Sequence, residues 1–197
     1  MQDALDYLST NDTVLANILS EFGPPIIQYR EEGFASMCHI ILEQQVSIAS
    51  AKSAYDKLVK LLGQIEPILI LQTNDYDLKK CGISRQKILY LKDLAHKVIT
   101  KEVDFPSLPQ KTEQQIREEL IKIKGVGNWS IEVYLMFCMQ SKDIIPLGDI
   151  AIKNTLKELY DCQSEGEMLI LSTNWKPFRT IATYILWHYY LKKRGKI

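Results

Sequence analysis

The residues best suited to chemistry in this sequence are two closely spaced glycines, the tryptophan that follows them, and a later aspartate. Gly125, Gly127 and Trp129 lie in the stretch KIKGVGNWSIEVYL, and Asp149 comes 24 residues after Gly125 in DIIPLGDIAIK. A glycine within a helix lowers its stability by roughly 1 kcal/mol relative to alanine. Two glycines in three residues therefore indicate a conformational or functional requirement on the main chain at this point. Backbone N–H groups in such a turn can bind an anion, whereas the aspartate offers a carboxylate.

The segment Gly125-Val126-Gly127 is predicted to join two short helices through a tight turn. Gly125 can adopt a positive φ at the end of the first helix, and Gly127 lets the backbone approach a ligand at the start of the second. The N–H groups of these three residues are therefore candidate donors to a phosphate. The alternative is an ordinary turn between two helices, without a ligand.

A second candidate anion site lies where the stretch GISRQKIL starts another helix. Ser84 is the expected N-cap, and Arg85 and Lys87 then occupy the first turn, where the helix dipole favours acidic residues. These two basic side chains either face a phosphate at the helix start or are surface charges that the fold tolerates.

Asp149 precedes the apolar helical pattern of Ile152, Leu156 and Leu159, which predicts that its carboxylate caps a helix. Asp143, six residues earlier, is the competing carboxylate. It lacks this setting at a helix start, so we interpret it as a loop residue. A lone aspartate ahead of a helix is usually only a cap, and its position alone does not indicate catalysis.

The elements that must position these residues are helices, because apolar residues repeat with a helical period almost everywhere. The pattern between Met37 and Leu62 breaks near Gln45, which predicts two helices or one broken helix. Thr112 and Gln115 predict a capping box at the start of the helix that leads to the two glycines. No alternation typical of strands is present, so the expected fold is all-α.

The composition is that of an ordinary globular protein, with 197 residues, 46% of them hydrophobic, and 24 basic and 24 acidic side chains. Residues 1–34 hold six acids and one base, so the rest of the chain carries a net charge of +5. No apolar run reaches the roughly 18 residues of a membrane span, and no signal-peptide layout is present, so we expect a cytoplasmic protein without a membrane partner. Nothing in the sequence suggests an obligate partner subunit, so a monomer is expected. The four cysteines are too far apart for a zinc or iron–sulfur site and are interpreted as buried thiols.

The stretch IKGVGNWS resembles the hairpin of the helix–hairpin–helix DNA glycosylase superfamily. In that family the hairpin grips a DNA phosphate through main-chain N–H groups, so the resemblance implies this role for Gly125, Val126 and Gly127. Family hairpins often hold a sodium or potassium ion on carbonyl oxygens, which here implies the carbonyls of Ile121, Ile123 and Gly125. No other cofactor is expected.

In the same family a loop with a proline and then a catalytic aspartate follow the hairpin, a pattern that Pro146, Gly148 and Asp149 match. The resemblance therefore implies that Asp149 is the catalytic residue. Cleaving a base from deoxyribose develops positive charge on the sugar, as in glycoside hydrolysis. A fixed carboxylate beside that sugar stabilises the cation or orients the attacking water.

Three further segments, ILEQQVSIASA, LKKCGISRQKILYLKDLA and WKPFRTIATYILWHYY, resemble the 3-methyladenine DNA glycosylase II (AlkA-like) branch. The first is similar to the loop that enters the minor groove opposite an extruded base. Gln45 aligns with the residue that fills the gap left by that base, with Gln44 and Ser47 beside it. The alternative is that Gln44 and Gln45 are simply polar residues at a helix end.

Trp129 and Trp187 match aromatic base-pocket positions of the branch, where an indole face attracts a cationic base; the alternative for each is a core tryptophan. Another pocket aromatic of the branch falls on Val133 here. Family members that also cut the strand carry a lysine nucleophile at the position of Trp129. The resemblance therefore implies a monofunctional enzyme without lyase activity.

The resemblance implies a single glycosylase domain over residues 1–197, with two helical lobes and a DNA cleft between them. Residues 1–35 and 141–197 would form one lobe and residues 36–140 the other, including the hairpin at 112–138. The expected function is excision of N-alkylated purines, such as 3-methyladenine and 7-methylguanine, from damaged double-stranded DNA in base excision repair. Two alternatives stay open, a non-catalytic DNA-binding module and a glycosylase for deaminated or oxidised bases.

Overall fold

The computed structural model describes residues 1–195. In that range the chain forms α-helices and two short 3₁₀-helices, Phe105–Gln110 and Thr173–Trp175, without a β-strand, which confirms the predicted all-α fold. None of the helices in this range has both the length and the apolar character needed to cross a membrane. The α-helices are α1 Gln2–Asn11, α2 Thr13–Phe22, α3 Phe34–Glu43, α4 Ile48–Leu62, α5 Pro67–Gln72, α6 Asp75–Lys80, α7 Arg85–Ile99, α8 Glu113–Leu120, α9 Asn128–Phe137, α10 Ile150–Tyr160, α11 Glu165–Ser172 and α12 Arg179–Lys193.

The chain divides into two compact units. The terminal unit combines Met1–Tyr29 with the chain from Gln140 onward, and the central unit is Arg30–Met139. The sequence predicts boundaries after residues 35 and 140. The two glycines of the predicted hairpin belong to the central unit, and Asp149 belongs to the terminal unit.

The core of the central unit includes five fully buried side chains, those of Met37, Ile41, Leu58, Leu91 and Leu135. Burying a side chain of this size contributes roughly 1.5–3 kcal/mol. α3 packs against α4, α7 and α9, and α5 lies along α7. The helix that leads into residues 44–47 and the helix that begins after the glycines therefore share one core.

The terminal unit is built by α1, α2, α10 and α12 around buried apolar side chains such as Leu8, Leu15 and Ile152. Asp12 connects the two chain segments of this unit through hydrogen bonds. Its Oδ1 accepts the N–H groups of α2 at 2.9 and 3.0 Å, and its Oδ2 accepts the Trp175 Nε1–H at 2.7 Å and the Tyr160 hydroxyl at 2.9 Å. One carboxylate thus ties the acidic N-terminal helices to the C-terminal part of the chain.

Helix boundaries follow the predicted signals. The pattern break near Gln45 separates α3 from α4. Ser84 caps α7 by accepting the Lys87 N–H at 3.3 Å, and Thr112 and Gln115 form the predicted capping box of α8. These local signals place the starts of α7 and α8.

Candidate functional site

The two glycines lie in the turn between α8 and α9, as predicted. Gly125 has a φ of +79°, in the left-handed region that favours glycine. The Val126 N–H closes the turn by donating to the Ile123 carbonyl at 3.0 Å, and the Val126 side chain is buried. Because the Val126 N–H is already engaged, Gly125 and Gly127 are the better candidates among the three predicted phosphate donors.

Two residues of α7 support this turn, and the sequence did not predict either of them. Asp93 Oδ2 accepts the Lys124 N–H at 2.7 Å. Tyr90 packs so closely on Gly125 that a Cβ atom added there would overlap its ring. The spacing of Tyr90 and Asp93, three residues apart on one helix face, is the sequence signal that links them. Position 125 therefore requires a glycine for two reasons, the positive φ and the close packing of Tyr90.

Gly127 is the N-cap of α9, and no side chain caps this helix start. A Cβ atom at Gly127 would meet nothing within 4 Å, and the residue is exposed. N–H groups in the first turn of a helix lack intrahelical partners and lie at the positive end of its dipole. The start of α9 thus has the chemistry of an anion site, and the phosphate contact there stays a prediction.

The predicted ion site uses the carbonyls of Ile121, Ile123 and Gly125. The Ile123 carbonyl accepts the Val126 N–H, and the Gly125 carbonyl accepts a Gln44 Nε2–H at 2.9 Å. Each carbonyl oxygen has a second lone pair, and carbonyl oxygens are suitable ligands for potassium and sodium. The donor set therefore fits an alkali cation, although two of the three oxygens are shared with N–H donors.

The predicted minor-groove loop, residues 44–47, connects α3 to α4. Gln45 is exposed and has a φ of +54°, which is uncommon for a residue other than glycine. Ser47 caps α4 by accepting a backbone N–H of its first turn at 3.2 Å. The Gln44 side chain reaches the hairpin, where it donates to the Gly125 carbonyl and to Ser130 Oγ, both at 2.9 Å. Of the three predicted residues, Gln44 and Ser47 thus hold other parts of the fold, and Gln45 is the exposed candidate for a DNA contact.

Arg85 and Lys87, in the first turn of α7, are not equivalent. The Arg85 side chain is exposed. The Lys87 ammonium donates to the Leu42 carbonyl at 2.7 Å, and burial lowers its pKa although the charge of Glu43 acts in the opposite direction. Lys87 therefore holds the last turn of α3, and Arg85 is the better candidate for a phosphate contact.

Asp149 caps α10, as predicted. Its Oδ1 accepts the N–H groups of Ala151 at 2.8 Å and Ile152 at 3.1 Å. The Trp187 Nε1–H donates to the same oxygen at 3.3 Å. Three donors on one oxygen hold this carboxylate in a defined orientation at a partly exposed helix start. The contact with Trp187 was not predicted from the sequence.

Asp143 binds Arg179 at the start of α12. Its Oδ1 accepts the Nε–H at 2.7 Å, and its Oδ2 accepts an Nη2–H at 2.8 Å. Burial alone would raise the pKa of Asp143, but the hydrogen bonds and the charge of Arg179 outweigh it, so the net pKa is lowered. Asp143 is thus a partner in an ion pair, which leaves Asp149 as the candidate for catalysis.

The three tryptophans differ in their access to solvent. Trp129 in the first turn of α9 and Trp187 on α12 are partly exposed, whereas Trp175 is fully buried. Val133, at a predicted pocket position, is 2% exposed and belongs to the core. A base-contacting role requires an accessible ring, which Trp129 and Trp187 have. Their contact with a base stays a prediction.

All four cysteines are free thiols and are buried, which confirms their interpretation. Burial raises the pKa of each thiol, that of Cys138 to about 12. Within residues 1–195, no group of three or more His, Cys, Asp or Glu side chains is arranged to hold a metal ion.

The chain is similar in sequence and in structure to DNA repair glycosylases. The family described as "HhH-GPD superfamily base excision DNA repair protein" matches residues 38–180. An alkylbase DNA glycosidase-like protein of Schizosaccharomyces pombe is 29% identical over 191 residues, which cover 92% of this chain and 90% of that protein. The structure of a DNA-3-methyladenine glycosidase from Bacillus halodurans aligns over 98% of this chain and 91% of that one, with a TM-score of 0.79 and 26% identity. The 3-methyladenine DNA glycosylase of S. pombe, solved with abasic DNA, aligns over 94% and 95% of the two chains, with a TM-score of 0.82 and 25% identity.

Proposed function

The chain belongs to the HhH-GPD superfamily of base excision DNA repair proteins, and from that membership we propose that it excises N-alkylated purines from double-stranded DNA. Relatives that it matches over nearly their whole length are named as alkylbase or 3-methyladenine glycosylases. The reaction is hydrolysis of the N-glycosidic bond, with 3-methyladenine and 7-methylguanine as the expected products beside an abasic site.

The observation that carries the proposal is the fixed orientation of the Asp149 carboxylate. Two N–H groups of α10 and the indole N–H of Trp187 hold its Oδ1. When the bond between sugar and base breaks, the base leaves with the bonding electrons and positive charge develops on the deoxyribose. The carboxylate stabilises this charge or orients the water whose oxygen then bonds to the sugar carbon.

An alkylated base suits this site because it needs little help from an acid. A cationic N-alkylated purine leaves as a neutral base. The accessible indoles of Trp129 and Trp187 would attract such a cation by stacking and cation–π contact, worth about 0.5–2 kcal/mol. Strand cleavage is not part of the proposal, because Trp129 stands where lyases of the family carry a lysine.

The proposed DNA contacts use the exposed residues of the central unit. The start of α9 at Gly127, with Gly125, would bind one phosphate, and Arg85 would bind another. Extruding a base costs a few kcal/mol, and a side chain must fill the gap that it leaves. Gln45 is the proposed residue because it is exposed in the loop between α3 and α4.

We also propose a hairpin ion, a monomeric state and a cytoplasmic location. A sodium or potassium ion on the carbonyls of Ile121, Ile123 and Gly125 would add positive charge at the hairpin. The protein would act as a monomer, which sedimentation or size-exclusion chromatography tests. It would act in the cytoplasm, since free buried cysteines are typical of reducing compartments.

The test is base release from methylated duplex DNA by wild type, Asp149→Asn and Asp161→Asn. Asparagine is also a good N-cap, so Asp149→Asn keeps α10 capped while it removes the charge. Asp161→Asn makes the same change at the other end of α10, where the backbone has a φ of +54° that asparagine tolerates. We expect release to slow at least about 100-fold in Asp149→Asn only, with strand breaks appearing only after alkali.

Other results would revise the proposal in defined ways. Full activity of Asp149→Asn would remove Asp149 from the mechanism. Breaks without alkali would indicate a lyase. No release of methylated bases by wild type would favour a glycosylase for deaminated or oxidised bases, or, if those too were left intact, a non-catalytic DNA-binding module.

A further inference from the structure

Gln44 lies in the loop predicted to enter the minor groove, but its side chain binds the hairpin. Its Nε2 donates to the Gly125 carbonyl and to Ser130 Oγ, both at 2.9 Å. These partners are 81 and 86 residues away in the sequence. Both N–H groups of one amide are therefore used to join two elements that the proposed function places on DNA.

The other contacts around this loop come from the protein as well. On the preceding turn, Arg30 donates to both Glu43 carboxylate oxygens at 2.6 and 2.9 Å. The Lys87 ammonium donates to the Leu42 carbonyl at 2.7 Å. Gln44 extends this series of contacts by one residue, and the exposed Gln45 follows directly. The loop is thus anchored up to the residue that precedes its exposed part.

Ser130 is the decisive partner because it lies inside the central unit, only 2% exposed. A side chain with this burial cannot contact DNA in this conformation. Gln44 itself is partly buried. Any effect of Ser130 on DNA binding must therefore act through a neighbouring residue.

We propose that Gln44 is a positioning residue that ties the minor-groove loop to the phosphate-binding hairpin, so that both elements meet DNA as one unit. The inference rests on the proposed function, since it assumes that both elements bind DNA. It replaces the prediction that Gln44 itself enters the groove. The distance between the phosphate held at α9 and the gap filled by Gln45 would then be set before DNA binds.

The experiment is a double-mutant cycle with Gln44→Met, Ser130→Ala and the double variant. Methionine keeps the length of glutamine but donates no hydrogen bond. Binding is measured to a duplex with a tetrahydrofuran abasic site and to the same duplex without it. The matched control is Gln2→Met, at an exposed position of α1. Thermal unfolding of each variant shows whether the fold is retained.

We expect each single variant to bind the abasic duplex about ten-fold more weakly, the effect of roughly one lost hydrogen bond, and the double variant to be no weaker than Gln44→Met. Binding to the intact duplex, which needs no filled gap, should change about two-fold or less, and Gln2→Met should bind both like wild type. If Ser130→Ala fails to fold, Ser130→Cys serves in its place, because a thiol is a much weaker hydrogen-bond acceptor than a hydroxyl and the position stays buried.

Two results would overturn the inference. One is wild-type binding by Ser130→Ala together with weak binding by Gln44→Met, because the bond to Ser130 would then contribute nothing to positioning the loop. The other is a wild type that does not prefer the abasic duplex. Because these assays need no base release, a wild type that shows the coupling but releases no methylated purine would contradict the proposed activity and leave the inference intact.

Discussion

At the scale of single residues, Asp149 combines a short-range signal with a long-range contact. Its place ahead of an apolar helical pattern predicts the cap, because a cap binds N–H groups two and three residues further on. The contact with Trp187 joins residues 38 positions apart. No local pattern in either segment predicts that pairing, since it depends on how α10 and α12 pack. The sequence therefore indicates the candidate catalytic side chain but not the group that orients it.

Replacing Trp187 with phenylalanine separates orientation of Asp149 from stacking on the base. The variant keeps an aromatic ring and removes the indole N–H, one of three donors to Asp149 Oδ1. We expect single-turnover base release to slow about ten-fold while binding to an abasic duplex changes about two-fold or less. A role in base stacking alone would instead weaken binding of lesion-containing DNA and leave the rate at saturation unchanged.

At the scale of elements, the two glycines of the hairpin have different structural roles. Gly125 combines a positive φ with contact against Tyr90, and Gly127 lies in open space with a φ of −114° that any residue can adopt. The G-x-G spacing predicts the turn because turn conformation is local. This spacing does not predict the contact with Tyr90, because that contact depends on how α7 packs against the hairpin.

Alanine substitutions should distinguish these tasks. Gly125→Ala is expected to lower the free energy of unfolding by about 1–3 kcal/mol, from the unfavourable φ and the overlap with Tyr90. Gly127→Ala should change it by less than about 1 kcal/mol, because an N-cap glycine contributes little to stability, but it should weaken DNA binding by placing a methyl group where the phosphate would lie. Urea unfolding and binding titrations measure both. Equal destabilisation by the two variants would contradict this division.

The ion pair at the start of α12 predicts a pH dependence of stability. Because the net pKa of Asp143 is lowered in the folded state, its contribution is present above the ordinary pKa of 3.8 and is lost as the pH falls through the lower folded value. Asp143→Asn should therefore cost about 1–2 kcal/mol at neutral pH, allowing for solvent screening, and progressively less below pH ~4. Urea unfolding at several pH values tests this, and a difference that stays constant with pH would show that the charge of Asp143 is not responsible.

At the scale of the whole molecule, residues remote in sequence complete each unit. In the terminal unit Asp12 accepts hydrogen bonds from α2, Tyr160 and Trp175, so the two ends of the chain share one polar centre. The acidic composition of residues 1–34 gives no hint of this, because an acid that accepts hydrogen bonds within the fold and a fully solvated acid look alike in a sequence. The all-α class was predictable from periodicity, whereas these pairings were not.

Asp12→Ala is expected to destabilise the protein by about 2–4 kcal/mol, since it removes the cap of α2 and leaves the buried Trp175 N–H and the partly buried Tyr160 hydroxyl without their acceptor. Asp6→Ala, an exposed acid on the neighbouring α1, should change stability by about 0.5 kcal/mol or less. Denaturant unfolding followed by tryptophan fluorescence compares them. Similar values for both variants would mean that the shared centre contributes little.

The burial of all four cysteines has a consequence for the chemical environment of an alkylation-repair enzyme. Sulfur reacts with methylating agents as the thiolate, and burial both blocks access and holds every thiol of this chain in its protonated form at neutral pH. Iodoacetamide should accordingly label the protein only after it is unfolded. The electrophiles that create damaged purines would therefore leave the cysteines of the folded protein unmodified, and any loss of activity during such exposure would not come from these four residues.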